Sequence, residues 1–477
     1  MKKTEKLGIK PLVLAAFIVW SLFMPLVGAG SEAETAQRAV LNLSQAIQFK
    51  TISFQNSNQM DEKEFKAFHD FLEKTYPLIH KNLKRETIND LGLLYTWNGS
   101  DPSLKPIIFL AHIDVVPIAS GTDADWTYPP FEGRIADGFA WGRGTMDCKG
   151  FLMAIMETVE ALLSQNYRPQ RTVYLCFGQD EEVGGKGAQK IAGILKERGV
   201  TAEYIIDEGG LIVDGKLVGI NKELAMVGVA EKGYLTLELK VKTKGGHSSM
   251  PPRESAIGIL SAAVQKLEKN PFPARLTGVS EMTLDKLGPE FPSQMKFAIK
   301  NRWIFGGLIK SMLSKNNVSD AMIRTTTAVT IISAGTKENI LPQEATAIVN
   351  FRLLPGDSID YVISRVKQVI RDPRISVEAI GEPKEATKIS NIHSEGFGIL
   401  ERTIKEVFPE VVISPFLVLG GTDARNYEQV SDSIFRFSPL RATQEDQERP
   451  HGTNERLSVE NYLEIIKFYT SMIRNSQ

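Results

Sequence analysis

"FLAHIDVVP", Phe109 to Pro117, is the stretch whose reading decides the fold. Apolar residues lead up to His112, and Asp114 follows with only Ile113 between them. In a strand, residues i and i+2 share a face. His112 and Asp114 therefore point the same way at the end of a buried strand. Two readings meet at this pair. It is either a hydrogen-bonded pair closing a strand, or a metal-ligating imidazole whose second ring N–H is held by a carboxylate. The stretch alone does not choose between them.

Outward from it, the same texture repeats. "PIIFLAHID" reads as a buried strand, "GFLMAIMETVEALLSQ" as a helix opened by Gly150, and "RTVYLCFGQDEEVGG" as a strand running into a polar turn. "AQKIAGILKERG" is a helix and "AEYIIDEGG" another strand and turn, while "AQRAVLNLSQAIQF" upstream has helical apolar spacing. Strand, turn and helix in alternation indicate an α/β sheet, mainly parallel. Ligands of such sheets bind beyond the carboxyl ends of the strands, and the polar clusters fall there.

From about Gly233 the pattern changes. "YLTLELKVKTK" alternates as a half-exposed strand does, and a helix follows at "SAIGILSAAVQKLEK". "TTTAVTIISAG" and "EATAIVNFRLLP" read as strands, "IDYVISRVKQVIRD" as a helix and "RISVEAI" as a strand. That order is expected of a small ferredoxin-like α+β domain. Arg275 to Asn317 shows no clear periodicity and reads as an insertion. The α/β pattern then resumes. The expected division is a catalytic domain at 37–231 and 383–477, with a lid or dimerisation domain at 232–382 inserted into it.

At 477 residues the chain is too long for one ordinary core, which agrees with two domains. A formal net charge of −1 argues against a nucleic-acid partner. Two cysteines, Cys148 and Cys176, cannot build a disulfide framework or a Cys-rich zinc site. Lys2, Lys3, Lys6 and Lys10 precede the apolar run "PLVLAAFIVWSLFMPLVGAG". Residues 1–31 thus read as a signal peptide or an N-terminal membrane anchor, which places the body outside the cytoplasm.

Four more clusters sit at turns. "GRGTMDCKG" holds Asp147, "QDEEVGG" holds Asp180, Glu181 and Glu182, "IIDEGG" holds Asp207 and Glu208, and "RPHGTNERL" holds His451. Each alone is ordinary turn chemistry, since acidic residues before glycine favour turns. Together they bring two histidines and at least three carboxylates to strand ends, a ligand set suited to zinc.

These motifs, with "GGHSSMPP" and "GGTDAR", occur in the order found in a metallopeptidase family. The chain resembles the family of aminoacylase, carboxypeptidase G and succinyl-diaminopimelate desuccinylase. Its texture is nearest to Gly-Xaa carboxypeptidase and the secreted N-fatty-acyl-amino-acid synthase/hydrolase. The resemblance runs from about Gln48 to the C-terminus. It implies two zinc ions per chain, with cobalt as an alternative. His112 and Glu208 would hold one and Glu182 and His451 the other, with Asp147 bridging and a cis peptide after it. Asp207 remains a rival to Glu208. Asp114 would orient His112, and Glu181 would be the general base. The family often has Met where Cys148 stands, so Cys148 is not expected to be a ligand. His247 would come from a partner subunit's lid to stabilise the oxyanion, which implies a homodimer. Asn339, Arg352 and Arg425 would bind a substrate carboxylate. The activity implied is hydrolysis of N-acyl amino acids, fatty-acyl ones among them and reversibly, or release of the C-terminal residue of short peptides. An aminopeptidase or dipeptidase of the family, or a non-catalytic binding protein on the same fold, is the alternative.

Overall fold

The computed structural model describes residues 29–477, and the side chains of these apart from 29–32 and 217. The segment read as a signal or anchor lies outside the described residues except where the helix Ala29–Ile47 begins. No helix among the described residues is long and apolar enough to cross a membrane.

The strand read at "PIIFLAHID" is Ile107–His112, buried at every position. It pairs in parallel with Val173–Gly178 on one side and Tyr204–Asp214 on the other. Its side chains alternate between two cores. Ile107, Phe109 and Ala111 enter one, with the helices Lys149–Ser164 and Val459–Asn475. Ile108 and Leu110 enter the other, beneath the helix Lys186–Glu197. Coverage on both faces is why the strand reads as a continuous apolar run.

The whole sheet has eight strands. In spatial order they are Lys84–Ile88, Gly92–Trp97, Val173–Gly178, Ile107–His112, Tyr204–Asp214, Ile434–Ala442, Glu223–Glu231 and Val412–Val418. It is parallel at its centre. An antiparallel hairpin forms one edge, and Glu223–Glu231 also runs antiparallel to Tyr204–Asp214. The strand and turn expected at "AEYIIDEGG" is one longer strand, because the chain continues through Gly209 and Gly210 to Asp214. Glycine is required there: a Cβ on Gly210 would sit 1.7 Å from the Met226 carbonyl oxygen.

A second, four-stranded antiparallel sheet orders as Thr326–Ala334, Glu344–Leu353, Gly233–Lys242 and Ile375–Lys384. The helices Ala256–Lys269 and Ile359–Ile370 share a separate core with it. In chain order the unit is strand, helix, strand, strand, helix, strand. The stretch Arg275–Asn317, read as aperiodic, is instead helical, at Val279–Leu287, Ser293–Lys300 and Arg302–Leu313. These helices are short, and Gly288, Pro289 and Pro292 separate the first two. Their apolar residues face a small core at Leu284, Ile299 and Ile309, but also solvent at Trp303 and Ile304. No single stripe at helical spacing results, so the sequence shows no period.

Candidate metal centre

Five segments of chain at the carboxyl end of the main sheet supply the site. His112 is the last residue of its strand. Asp147 precedes the helix Lys149–Ser164, which starts close under its own loop: a Cβ on Gly150 would lie 2.1 Å from the Thr145 oxygen. Glu181 and Glu182 form a single 3-10 turn after Val173–Gly178. Glu208 lies on the strand Tyr204–Asp214. His451 stands at φ 61°, a left-handed conformation unusual outside glycine and enriched at functional sites.

The two oxygens of Asp147 face different histidines. Oδ1 lies 2.8 Å from His112 Nε2, and Oδ2 lies 3.1 Å from His451 Nε2. Glu208 Oε1 is 3.3 Å from His112 Nε2, and Glu182 Oε2 is 3.0 Å from His451 Nε2. Two nests therefore share one carboxylate. The ligand atoms of His112, Asp147 and Glu182 fall within 4.8 Å of one another, and so do those of His112, Cys148 and Glu208. The peptide bond Asp147–Cys148 is cis, as the resemblance implied. Both cysteines are free and buried.

Asp114 has a wider part than the sequence suggested. His112 Nδ1 meets its backbone carbonyl at 2.9 Å and its carboxylate at 3.4 Å. That carboxylate accepts from Ser53 Oγ at 2.6 Å and from the backbone N–H groups of Glu181 and Glu182 at 3.1 and 3.2 Å. It holds the acidic turn as well as the histidine. Asp207 turns away, its oxygens taken by the N–H groups of Glu208 and Ala424. Of the two residues in "DEGG", Glu208 is the one that reaches His112.

The electrostatics follow from crowding several acids in a buried site. Burial, with Asp147 nearby, pushes Glu208 up to about 7. Burial also drives Glu181 well above the carboxylate range and raises Glu182. Asp147 behaves oppositely. Burial opposes its charge, but hydrogen bonds from His112 and His451 outweigh it and hold the carboxyl below its usual value. Hydrogen bonds to Asp147 and Glu182 lift His451 to about 10. Perturbed groups gathered at one point mark a functional site. The residues also suit a divalent cation, because Glu182 Oε1 is buried with no hydrogen-bond partner among the described residues.

Glu455 was passed over in the sequence, although it lies within the quoted "RPHGTNERL". Its buried Oε1 accepts from the N–H groups of Gly144, Met146 and Asp147, at 3.0, 2.8 and 3.2 Å. Its Oε2 meets Arg143 Nη1 at 2.7 Å. The carboxylate thereby pins the Asp147 loop to the loop that carries His451. Ser53 was missed too, and no spacing signal marks it.

The remaining expected residues lie apart from this cluster. His247 is exposed on a two-residue ladder opposite Ile340, with Nδ1 2.7 Å from Ser249 Oγ, and the Asn339 carbonyl accepts from Ser248 N–H. Neither makes a hydrogen bond to the cluster among the described residues. Arg352 stacks over Tyr234 at 4.8 Å. Arg425 donates to the Glu385 carbonyl at 3.0 Å and stands 3.8 Å from Glu231.

With this geometry in place, residues 108–475 match Peptidase family M20/M25/M40. The chain belongs to this family. It is 44% identical over 452 residues to "Probable carboxypeptidase S-like 2" of Dictyostelium discoideum, covering 94% of this chain and 86% of that one. It is 39% identical over 440 residues to the "N-fatty-acyl-amino acid synthase/hydrolase PM20D1" of Bos taurus, covering 91% of this chain and 86% of that one. The fold matches an M20 family metallo-carboxypeptidase from Sulfolobus solfataricus at a TM-score of 0.65, with 19% identity over 92% of this chain and 99% of that one. Family membership makes the chain a hydrolase of the metallopeptidase class.

Proposed function

We propose that this M20 peptidase is a di-zinc amidohydrolase. It releases an amino acid with a free α-carboxylate from an N-acyl amino acid, including fatty-acyl ones and reversibly, or from the C-terminus of a short peptide. The observation that carries the reading is Asp147, one carboxylate with an oxygen toward each histidine nest. His112 and Glu208 would hold one zinc, Glu182 and His451 the other, and Asp147 both. Zinc bound there would bring the pKa of a water toward about 7 and polarise the amide carbonyl. With the metals in place, Glu181 would serve as the general base, accepting a proton from the attacking water and passing it to the leaving nitrogen. Cys148 stays a thiol, since burial and the Glu208 charge oppose its thiolate.

Arg352 and Arg425 hold the substrate α-carboxylate, a task that suits a planar fork of donors. Two arginines at this end favour a carboxylate over the free amine that an aminopeptidase would bind. The second sheet, 232–382, serves as lid and dimerisation domain. Its edge strand Thr326–Ala334 exposes Ile331 and Ile332 for pairing across a two-fold axis. His247 then reaches the partner subunit's centre to stabilise the oxyanion, while Asn339 joins Arg352 and Arg425 on the substrate carboxylate. The body lies outside the cytoplasm.

The test is turnover of the purified zinc-loaded chain on N-acyl amino acids, short peptides, and the same compounds amidated at the carboxylate, beside metal content per chain. Hydrolysis that requires the free carboxylate, with two metals bound, is expected. Equal rates on the amidated compounds would reject the carboxylate reading.

A further inference from the structure

The helical segment that follows Pro292 presents an apolar surface that its own core does not use. Trp303 is 82% exposed, Phe297 61%, Ile304 58%, Leu308 56% and Met312 41%. Ile304, Leu308 and Met312 recur every four residues along the helix Arg302–Leu313 and so form one line, with Trp303 beside it. The opposite side is occupied, since Ile309 is buried with Leu284 and Ile299, and Phe305 and Leu313 pack against them. Scattered exposed apolar residues need no explanation, but a contiguous face with a tryptophan marks an interaction surface.

Along the segment itself the charge has one sign. From Ser293 to Ser319 the chain carries five basic residues and no Asp or Glu, within a protein of formal net charge −1. Arg302 is tied to Asp285 and Glu281 and anchors the helix. Lys296, Lys300, Lys310 and Lys315 make no ion pair among the described residues.

We propose that this face docks the protein on an anionic lipid surface. The helix Arg302–Leu313, at 12 residues, is far too short to span a bilayer. Aromatic and aliphatic side chains beside lysines without a counter-charge are the composition of a helix lying in the interfacial plane. The apolar line enters the acyl boundary, and the lysines reach the headgroups. A second copy of the chain is a poorer occupant. A two-fold contact would set this face against itself and bring like charges together.

The segment is firmly seated, so docking fixes the orientation of the whole molecule. Thr283 Oγ1 donates to the Pro415 carbonyl on the edge strand of the main sheet, at 2.7 Å. Lys232 Nζ donates to the Ala321 and Arg324 carbonyls, at 2.9 Å each. The inference stands apart from the amidohydrolase reading, since none of these surface residues belongs to the metal centre.

The experiment uses the full chain with phosphatidylcholine vesicles, with and without phosphatidylglycerol, followed by amide hydrogen exchange and co-sedimentation. Phosphatidylglycerol vesicles should slow exchange over Arg302–Leu313, and added salt should reverse the effect. The double variant Trp303→Ser/Leu308→Ser should lower vesicle partition about tenfold or more. The triple variant Lys300→Gln/Lys310→Gln/Lys315→Gln should lower it about as much. Both variants should keep wild-type turnover on a water-soluble substrate. Protection by phosphatidylcholine alone, binding with no protection of this helix, or protection that rises with protein concentration without vesicles would overturn the proposal.

Discussion

Replacing Glu455 by Gln changes one atom and removes one charge, yet it should damage both stability and metal binding. Three backbone N–H groups converge on Oε1, and Arg143 meets Oε2 at 2.7 Å. In the variant the amide oxygen serves one of these sides and the NH2 faces the other, donor against donor. Either rotamer leaves Arg143, 2% exposed, without its counter-charge. Breaking a buried ion pair costs about 3–5 kcal/mol. Arg143 retains a bond to the Gly452 carbonyl and the Trp126 ring below it, so the low end, about 3 kcal/mol, is expected. The same carboxylate positions the loop that carries Asp147, so metal affinity should fall about 10–100-fold. Urea unfolding, with and without excess zinc, reads the first effect, and competition with a chromophoric chelator reads the second. A double-mutant cycle with Arg143→Met assigns the loss to the pair. A stability loss below about 1 kcal/mol, together with unchanged chelator competition, would refute the reasoning.

Glu181→Gln should retain both metals by atomic spectroscopy while losing about 10²–10⁴ in turnover, the worth of a general base; lost metal or near-normal turnover would move Glu181 out of that role. Cys148→Ala should still bind two metals per chain, and a count of one would make Cys148 a ligand. His247→Ala should lower turnover by roughly 10²–10³ with metal retained. Mixing it with Glu181→Gln subunits should restore part of the activity, and no rescue in verified mixed dimers would place His247 in its own chain's chemistry. Burial, with Arg352 nearby, lowers the Lys232 amine to about 7. Between about 7 and 10.5 the unfolded chain then holds a proton that the folded one lacks, so this group makes stability rise with pH across that window. Urea midpoints from pH 6 to 9 should climb more steeply in the wild type than in Lys232→Met, and the opposite order would contradict the assignment.

The main sheet was legible because its strands are covered on both faces. Continuous apolar runs such as Ile107–His112 and Val173–Gly178 announce burial, and their polar ends announce the site. The second sheet was legible for another reason: Gly233–Lys242 alternates buried and half-buried residues along its length. The helices of 275–317 were illegible because their apolar residues serve a core on one side and open surface on the other. Of the site, the histidines and acids stood out as residue types, but their division of labour did not. Asp207 and Glu208 are neighbours in one motif, and only the fold shows that Asp207 caps backbone N–H groups while Glu208 meets His112. Glu455 carries no mark of its own, because its role depends on a loop more than 300 residues away, as its contact with Met146 at a separation of 309 shows.

One buried carboxylate joins the two sheets, and it bears on how the proposed substrate would be held. Glu231 ends a strand of the main sheet, and Gly233 begins the second. Its carboxylate accepts from Thr422 N–H and Oγ1 at 3.2 and 2.9 Å and from Arg436 Nε at 2.7 Å. Its backbone exchanges bonds with Thr387, where the chain returns from the second sheet. Both crossings between the sheets are thus fastened at the same residue. Arg425 stands 3.8 Å from this carboxylate, too far for a hydrogen bond, so Glu231 offsets its charge while leaving guanidinium donors open. Arg352 approaches from the other sheet, held over Tyr234. On the proposed reading, a substrate carboxylate gripped by both arginines spans the junction. Its binding energy then depends on the relative placement of the two sheets, which couples substrate recognition to the position of the lid.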